Sequence, residues 1–241
     1  LQAELEVEPA PATVELYQRL LHMEIEQAPN PAVQETWPLV GRHREWQMLQ
    51  ALWKQNNLGL PHLLVLSGEA GIGKTRLAEE FLDWVRRQGF ITATTHCYAA
   101  EGDLPYAPVV AWLRTAALRQ SLATLDPIWQ SEVARLLPEL VNVSPAPLIS
   151  SGQRQRLFEA LARAILNSKK SLLLFIDDLQ WCDRDTLEWL HYLVRFVQDA
   201  IEQGMRPPHL LLIATVRSEE MESNSTLTML LLSLRRQALV S

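Results

Sequence analysis

The chain has 241 residues and a formal net charge of −6. That is long enough to bury a full hydrophobic core, as one large domain or as one domain with an appendage. The charge is uneven: residues 1–36 hold seven glutamates against Arg19 alone, which accounts for the whole imbalance, and the remainder is neutral. Neither part has the basic footprint of a nucleic-acid-binding surface, so direct nucleic-acid binding by these residues is not expected. Cys97 and Cys182 show no metal-ligand spacing and no secreted disulfide framework, which leads us to expect free thiols and a cytoplasmic location. There is no signal peptide and no uncharged apolar run of transmembrane length, so no membrane partner is expected.

Pro9 and Pro11 precede an amphipathic helix over about residues 12–26, with Val14, Tyr17, Leu20, Leu21 and Ile25 on one face. Residues 27–37, with Pro29, Asn30 and Pro31, form a linker. Leu39-Val40-Gly41-Arg42-His43-Arg44-Glu45 then opens a helix carrying Trp46, Leu49 and Trp53. Gly41 would let the backbone approach a flat ring closely, although a simple helix start reads equally well.

Leu63-Leu64-Val65-Leu66 is a short run of the buried-strand type. Gly68-Glu69-Ala70-Gly71-Ile72-Gly73-Lys74-Thr75 follows and spells G-x-x-x-x-G-K-[ST]. Leu77, Phe81, Leu82 and Val85 then recur at helical spacing. Strand, glycine loop and helix are the frame of a phosphate-binding P-loop. Glycines let successive N–H groups turn inward on a phosphate, and the helix N-terminus adds partial positive charge. The candidate cradle runs through Gly68, Glu69, Ala70, Gly71, Ile72, Gly73, Lys74, Thr75 and Arg76. Lys74 supplies a mobile charge for the β- and γ-phosphates, and Thr75 a hydroxyl for Mg²⁺.

A second strand is expected over residues 90–96, then helices over 107–119, 128–137 and 153–167, with a Pro- and Ser-rich loop over 138–152. In the last of these helices Leu157, Leu161 and Ile165 form a core stripe beside Phe158. Ser171-Leu172-Leu173-Leu174-Phe175-Ile176-Asp177-Asp178 is an apolar strand ending in two carboxylates. An acid is needed at the tip of the strand beside the P-loop strand, opposite Thr75; Asp177 is the candidate for the Mg²⁺ shell, and Asp178 for orienting or deprotonating the attacking water. Asp185-x-x-Glu188 reads as a capping box for a helix with a stripe of Leu187, Leu190, Val194, Val197 and Ile201. Asp183 and Asp185 are therefore read as structural. Residues 208–215 form a further buried strand with Arg217 at its tip, where a guanidinium can reach a γ-phosphate; pairing with Glu219 or Glu220 is the competing reading. A helix over about 227–236 ends the pattern. Strands alternating with helices imply a parallel sheet with ligands at the carboxyl ends of the strands.

Four pieces fall in one order: Val40-Gly41-Arg42-x-x-Glu45, the P-loop, Leu174-Phe175-Ile176-Asp177-Asp178-Leu179-Gln180-Trp181-Cys182-Asp183, and Thr215-Val216-Arg217. Together they resemble the nucleotide-binding domain of the STAND class of AAA-related signal-transduction ATPases, over roughly residues 37–241. The resemblance implies a three-layer α/β P-loop NTPase with a parallel sheet, carrying a short N-terminal helical appendage. It implies ATP/ADP and Mg²⁺ as ligands, with Val40, Gly41 and Arg42 cradling adenine. Lys74, Asp178 and Arg217 would act on the γ-phosphate, and Thr75 and Asp177 would serve the metal. Cys97 to Pro108 also fits a loop common in that family, whereas Cys182 replaces its usual alanine.

Residues 4–21 are similar to the last helix of the bacterial transcriptional activator domain of SARP-type regulators. The expected organisation is the end of that helical-repeat domain at 1–26, a linker at 27–37, and a P-loop ATPase core at 38–241 cut before its lid. The start at Leu1 without Met, and the stop after Ala238-Leu239-Val240 at the beginning of an expected fifth strand, read as a piece of a larger protein. The expected function is a nucleotide-dependent switch with slow Mg²⁺-dependent ATP hydrolysis in a transcriptional regulator. Its expected partners are nucleotide and the lid, DNA-binding and sensor regions of the same parent. A P-loop small-molecule kinase and a non-hydrolysing ADP-binding scaffold stay open as alternatives.

Overall fold

A computed structural model describes residues 41–56, 61–99, 104–140, 151–168, 170–221, 224–237 and 239–240. The expected N-terminal helix, the linker and Val40 lie outside the described residues. The elements run α1 (His43–Asn56), β1 (His62–Gly68), α2 (Lys74–Arg87), β2 (Ile91–His96), α3 (Ala107–Arg114), α4 (Ala116–Ala123), α5 (Pro127–Val133), α6 (Ser151–Leu166), β3 (Leu172–Asp177), α7 (Arg184–Glu202), β4 (Leu210–Arg217) and α8 (Ser225–Arg236). Single 3₁₀ turns lie at Pro138–Leu140 and Leu179–Trp181.

The four strands pair in parallel in the order β1-β4-β3-β2. This corrects one expectation: β3, with Asp177 at its tip, does not lie beside the P-loop strand, because β4 is inserted between them. Residues of a strand point alternately to the two faces. Leu172, Leu174 and Ile176 join the core that includes Trp112 of α3, Leu161 of α6 and Leu190 of α7. On the other face lies α2, which buries Leu77, Ala78, Phe81, Leu82 and Val85, and α1, which buries Leu49 and Trp53. Trp46 closes edge-on against Phe81 at 5.8 Å between ring centres. The result is three layers with β3 buried along its whole length, the condition that near-continuous apolar strands signal.

Several local expectations are revised. The single helix expected over 107–119 is broken at Thr115, which is extended, and its hydroxyl donates to the Trp112 carbonyl at 2.7 Å. A side chain that takes over a helix-terminal carbonyl in this way favours a break. Helix α5 starts at Pro127 and ends at Val133, capped by Asp126, whose carboxylate accepts from the Ile128 N–H at 2.9 Å. The cap of α7 is Asp183, not Asp185: Asp183 accepts from Thr186 N–H at 2.8 Å and from Tyr106 N–H at 3.3 Å. Asp185 is drawn outward to Arg154, which also pairs with Glu188 at 2.7 Å. Both acids are structural. At the free side of β1, Leu63 N–H donates to the Leu239 carbonyl at 2.8 Å, and Leu63 bridges Val240 in parallel.

Candidate nucleotide site

The alternation that separates core from surface also assembles the site. Asp177 is odd-numbered on β3 and therefore lies on the α2 face. His96 is its register partner on β2, and Arg217 is the partner of Gly68, the first glycine of the loop. One position beyond the last β3–β4 pair, Ile176 with Ala214, Asp177 meets Thr215. Four chain segments thus bring their polar ends to the carboxyl edge of one sheet, where parallel α/β folds bind ligands.

The loop from Gly68 to Gly73 has the backbone its sequence requires. Gly71 and Gly73 sit at φ 79° and 89°, the left-handed region that side chains disfavour. Gly73 is the N-cap of α2 and contributes no side-chain bond. The first turn of α2 carries no acid, while Arg86 and Arg87 complement its C-terminal end. Its N-terminus therefore keeps the positive end of the macrodipole for an anion. Lys74 folds back over the loop, its Nζ donating to the carbonyls of Gly68 and Glu69, each at 2.8 Å. Arg76 lies one turn on and pairs with Glu80 at 2.5 Å. Ala70 and Ile72 contribute their backbone to the same loop, and Ile72 is partly exposed.

Gly41 is at φ 81°, and Arg42 beside it reaches the P-loop: Nη2 donates to the Ile72 carbonyl, and Nη1 pairs with Glu45 at 2.9 Å. A backbone hydrogen bond and then Arg42 hold the Glu45 carboxyl below its ordinary range. The Gly41-Arg42 motif is thereby tied to the glycine loop, although Val40 lies outside the described residues.

Asp177 is only 7 % exposed. Its Oδ1 accepts from the Thr75 hydroxyl at 2.8 Å and from the Thr215 hydroxyl; Oδ2 lies 3.1 Å from Thr75 Oγ1 and 3.2 Å from His96 Nδ1. Among the described residues, the basic side chain that touches it is His96. A buried carboxylate next to a threonine hydroxyl, with no Lys or Arg on it, fits Mg²⁺, a hard cation that takes one or two protein oxygens and keeps water and phosphate for the rest.

Asp178 stands at φ 56° and turns the chain into the 3₁₀ turn Leu179–Trp181. Its backbone N–H donates to Thr215 Oγ1 at 2.8 Å. Its carboxylate accepts from Gln180 Nε2 at 2.8 Å and lies 3.4 Å from Arg217 Nε. Arg217 also pairs with Glu220 at 3.3 Å and stacks over Trp181 at 4.4 Å. The competing reading of Arg217, pairing with Glu220, is present, and Arg217 also lies against Asp178. Gln180 is buried and joins three segments: it donates to Asp178, its Oε1 accepts from Arg217 N–H at 3.2 Å, and its carbonyl accepts from Asn224 Nδ2 at 3.1 Å. Asn224 caps α8 through the Leu227 N–H.

The structure brings together Lys74, Thr75, Asp177, Asp178 and Arg217, and adds His96, Gln180 and Thr215, which the sequence reading gave no role. Strand register places His96 and Thr215 on the α2 face beside Asp177, and Gln180 lies in the turn that follows β3. Cys97 and Cys182 are both free and buried. The neighbouring Cys97 thiol and then burial push the Cys182 thiol well up, so it is not a ready nucleophile. Among the described residues no helix is long and apolar enough to cross a membrane.

The fold and the loop define a P-loop nucleotide-binding domain of the class in which another strand separates the glycine-loop strand from the acid-bearing strand. The profile of the AAA ATPase domain family matches residues 38–213, and the chain belongs to that family. No curated protein matches it. Solved structures with a similar fold include the ORC2 protein of Aeropyrum pernix, in ADPNP–ADP complexes, at 17 % identity and a TM-score of 0.46, covering 83 % of this chain and 44 % of that one. Cdc6p of Pyrobaculum aerophilum is 17 % identical with a TM-score of 0.47, over 84 % of this chain and 46 % of that one. AMPPCP-bound DnaA of Aquifex aeolicus is 13 % identical with a TM-score of 0.39, over 85 % and 47 %. The chain spans less than half the length of each, and these likenesses concern the fold only.

Proposed function

We propose that this domain is an ATP/ADP-dependent switch with slow Mg²⁺-dependent ATP hydrolysis, acting within a transcriptional regulator in the cytoplasm. The observation that carries the reading is the meeting of Thr75 and Asp177 at 2.8 Å, at the mouth of the glycine loop, with Asp178 and Arg217 alongside.

In this reading the N–H groups of residues 69–75 hold the phosphates, and Lys74 leaves its two carbonyl partners to pair with them. Thr75 and Asp177 would hold Mg²⁺, which supplies charge neutralisation on the phosphates. Asp178 orients the attacking water and accepts its proton. Arg217 releases Asp178 and pairs with the γ-phosphate of ATP, an option that ADP does not offer. The exchange frees the base at the moment the substrate is complete. Gln180 supports the link to the rest of the chain, because it touches Asp178, the Arg217 backbone and the cap of α8 together. A change at Arg217 then reaches α8 through one buried amide, and nucleotide state biases two arrangements of neighbouring domains.

The resemblance of residues 4–21 to the end of a SARP-type activator domain supports placing the switch in a transcriptional regulator. The partners are then the lid, DNA-binding and sensor regions of the same parent, with no nucleic acid held by this part of the chain. The test is phosphate release and nucleotide affinity measured together. Wild type releases phosphate slowly from MgATP, Lys74→Ala loses nucleotide binding, and Asp178→Asn binds ATP but releases less phosphate. ATP binding with no phosphate release from wild type over hours would replace the hydrolytic switch by a scaffold.

A further inference from the structure

The carboxylate assigned to the metal is held on three sides, by Thr75, Thr215 and His96. Thr75 and Thr215 both approach Oδ1 of Asp177. Oδ2 faces His96, the last residue of β2 and the register partner of Asp177. The His96 side chain is 45 % exposed, while that of Asp177 is 9 % exposed, so the imidazole stands on the solvent side of a carboxylate that is otherwise enclosed. An ionised carboxylate only accepts hydrogen bonds, so Nδ1 of His96 must carry the proton in this contact. Nε2 then points away from Asp177.

We propose that His96 is a positioning residue of the Mg²⁺–nucleotide site, setting the rotation of the Asp177 carboxylate through the Nδ1–H to Oδ2 bond. The inference rests on the assignment of Asp177 to the metal. Mg²⁺ demands near-ideal octahedral geometry, so it penalises a carboxylate that turns about its Cβ–Cγ bond. Hydrogen bonds to the far oxygen of a ligating carboxylate supply that restraint. Thr75 cannot supply it, because its hydroxyl is itself offered to the metal. Thr215 reaches only Oδ1, which leaves His96 as the partner dedicated to Oδ2 among the described residues.

The test uses the full chain, with ATP titrated calorimetrically in Mg²⁺ and again in EDTA, for wild type, His96→Ala and His96→Asn. His96→Ala should weaken MgATP about tenfold, the low end of what loss of such a supporting bond costs, while affinity for metal-free ATP stays unchanged. His96→Asn, whose amide N–H₂ donates from a position near that of Nδ1, should recover most of the loss. Equal affinity of His96→Ala and wild type for MgATP overturns the inference. So does an equal loss in Mg²⁺ and in EDTA, or an Asn variant no better than Ala. If wild type itself binds ATP no better with Mg²⁺ than with EDTA, the assignment of Asp177 to the metal falls, and this inference with it.

Discussion

Replacing Thr215 by valine tests whether the inserted strand β4 holds the site together. The two side chains have nearly the same shape, so the change removes a hydroxyl and leaves no cavity. Thr215 Oγ1 donates to Oδ1 of the buried Asp177 and accepts from the Asp178 backbone N–H at 2.8 Å. The bond to the carboxylate is worth about 1.5–3 kcal/mol because its acceptor is charged, and the half-buried bond to the N–H about 0.5–1.5 kcal/mol. Together the loss is about 2–4.5 kcal/mol. For a domain of this size each kcal/mol moves the melting temperature about 2–4 °C, so Thr215→Val should lower it by about 4–18 °C. Thr215→Ser keeps the hydroxyl and should stay close to wild type. Differential scanning calorimetry gives the stability, and titration with MgATP should show weaker binding for the valine variant after correction for the folded fraction. A valine variant melting within 2 °C of wild type, on the scale just used, with unchanged MgATP affinity would refute this account of the β3–β4 junction.

Arg217→Ala should weaken ATP more than ADP in parallel titrations, while its stability cost stays near 1–2 kcal/mol, because its pairs with Asp178 and Glu220 are partly solvent-screened and its stacking on Trp181 is modest. Equal losses for both nucleotides would reduce Arg217 to a structural role. Asp177→Asn should abolish the Mg²⁺ dependence of ATP binding, whereas Asp178→Asn should slow phosphate release more than it weakens ATP; the reverse pattern would exchange the two acids. Burial, aided by Arg195, holds His191 below its ordinary value of 6.5, so the unfolded chain binds the proton more readily. Its stabilising contribution is complete above pH 6.5 and is lost as pH falls through the lowered folded value. The urea midpoint should therefore drop between pH 7.5 and 5.5, on the order of the window set by this shift, and His191→Gln should flatten that drop.

The parts of the site legible in the sequence are those carried by local spacing. The glycine loop, Lys74 and Thr75 lie within eight residues between a strand and a helix, and Asp177 ends a continuous apolar run that by itself marks a buried strand. Strand order was not legible, because nothing local says that β4 inserts between β1 and β3. From that topological fact follows the place of Thr215 beside Asp177, whereas His96 stands there because β2 pairs with β3. The capping position slipped from Asp185 to Asp183 because both acids suit a helix start, and Arg154, brought from α6 by tertiary packing, claims Asp185. Glu220 is legible as a partner of Arg217 because it lies three residues away, whereas Asp178, in the turn after β3, is brought to it only by the sheet.

The central claim is that Thr75 and Asp177 make this loop a magnesium-dependent nucleotide site. Titrating wild type with ATP in the presence of Mg²⁺ and again with EDTA, beside Lys74→Ala, measures it directly. The account predicts saturable ATP binding to wild type that tightens with Mg²⁺ and vanishes in Lys74→Ala. Binding indifferent to both the metal and Lys74 would contradict it.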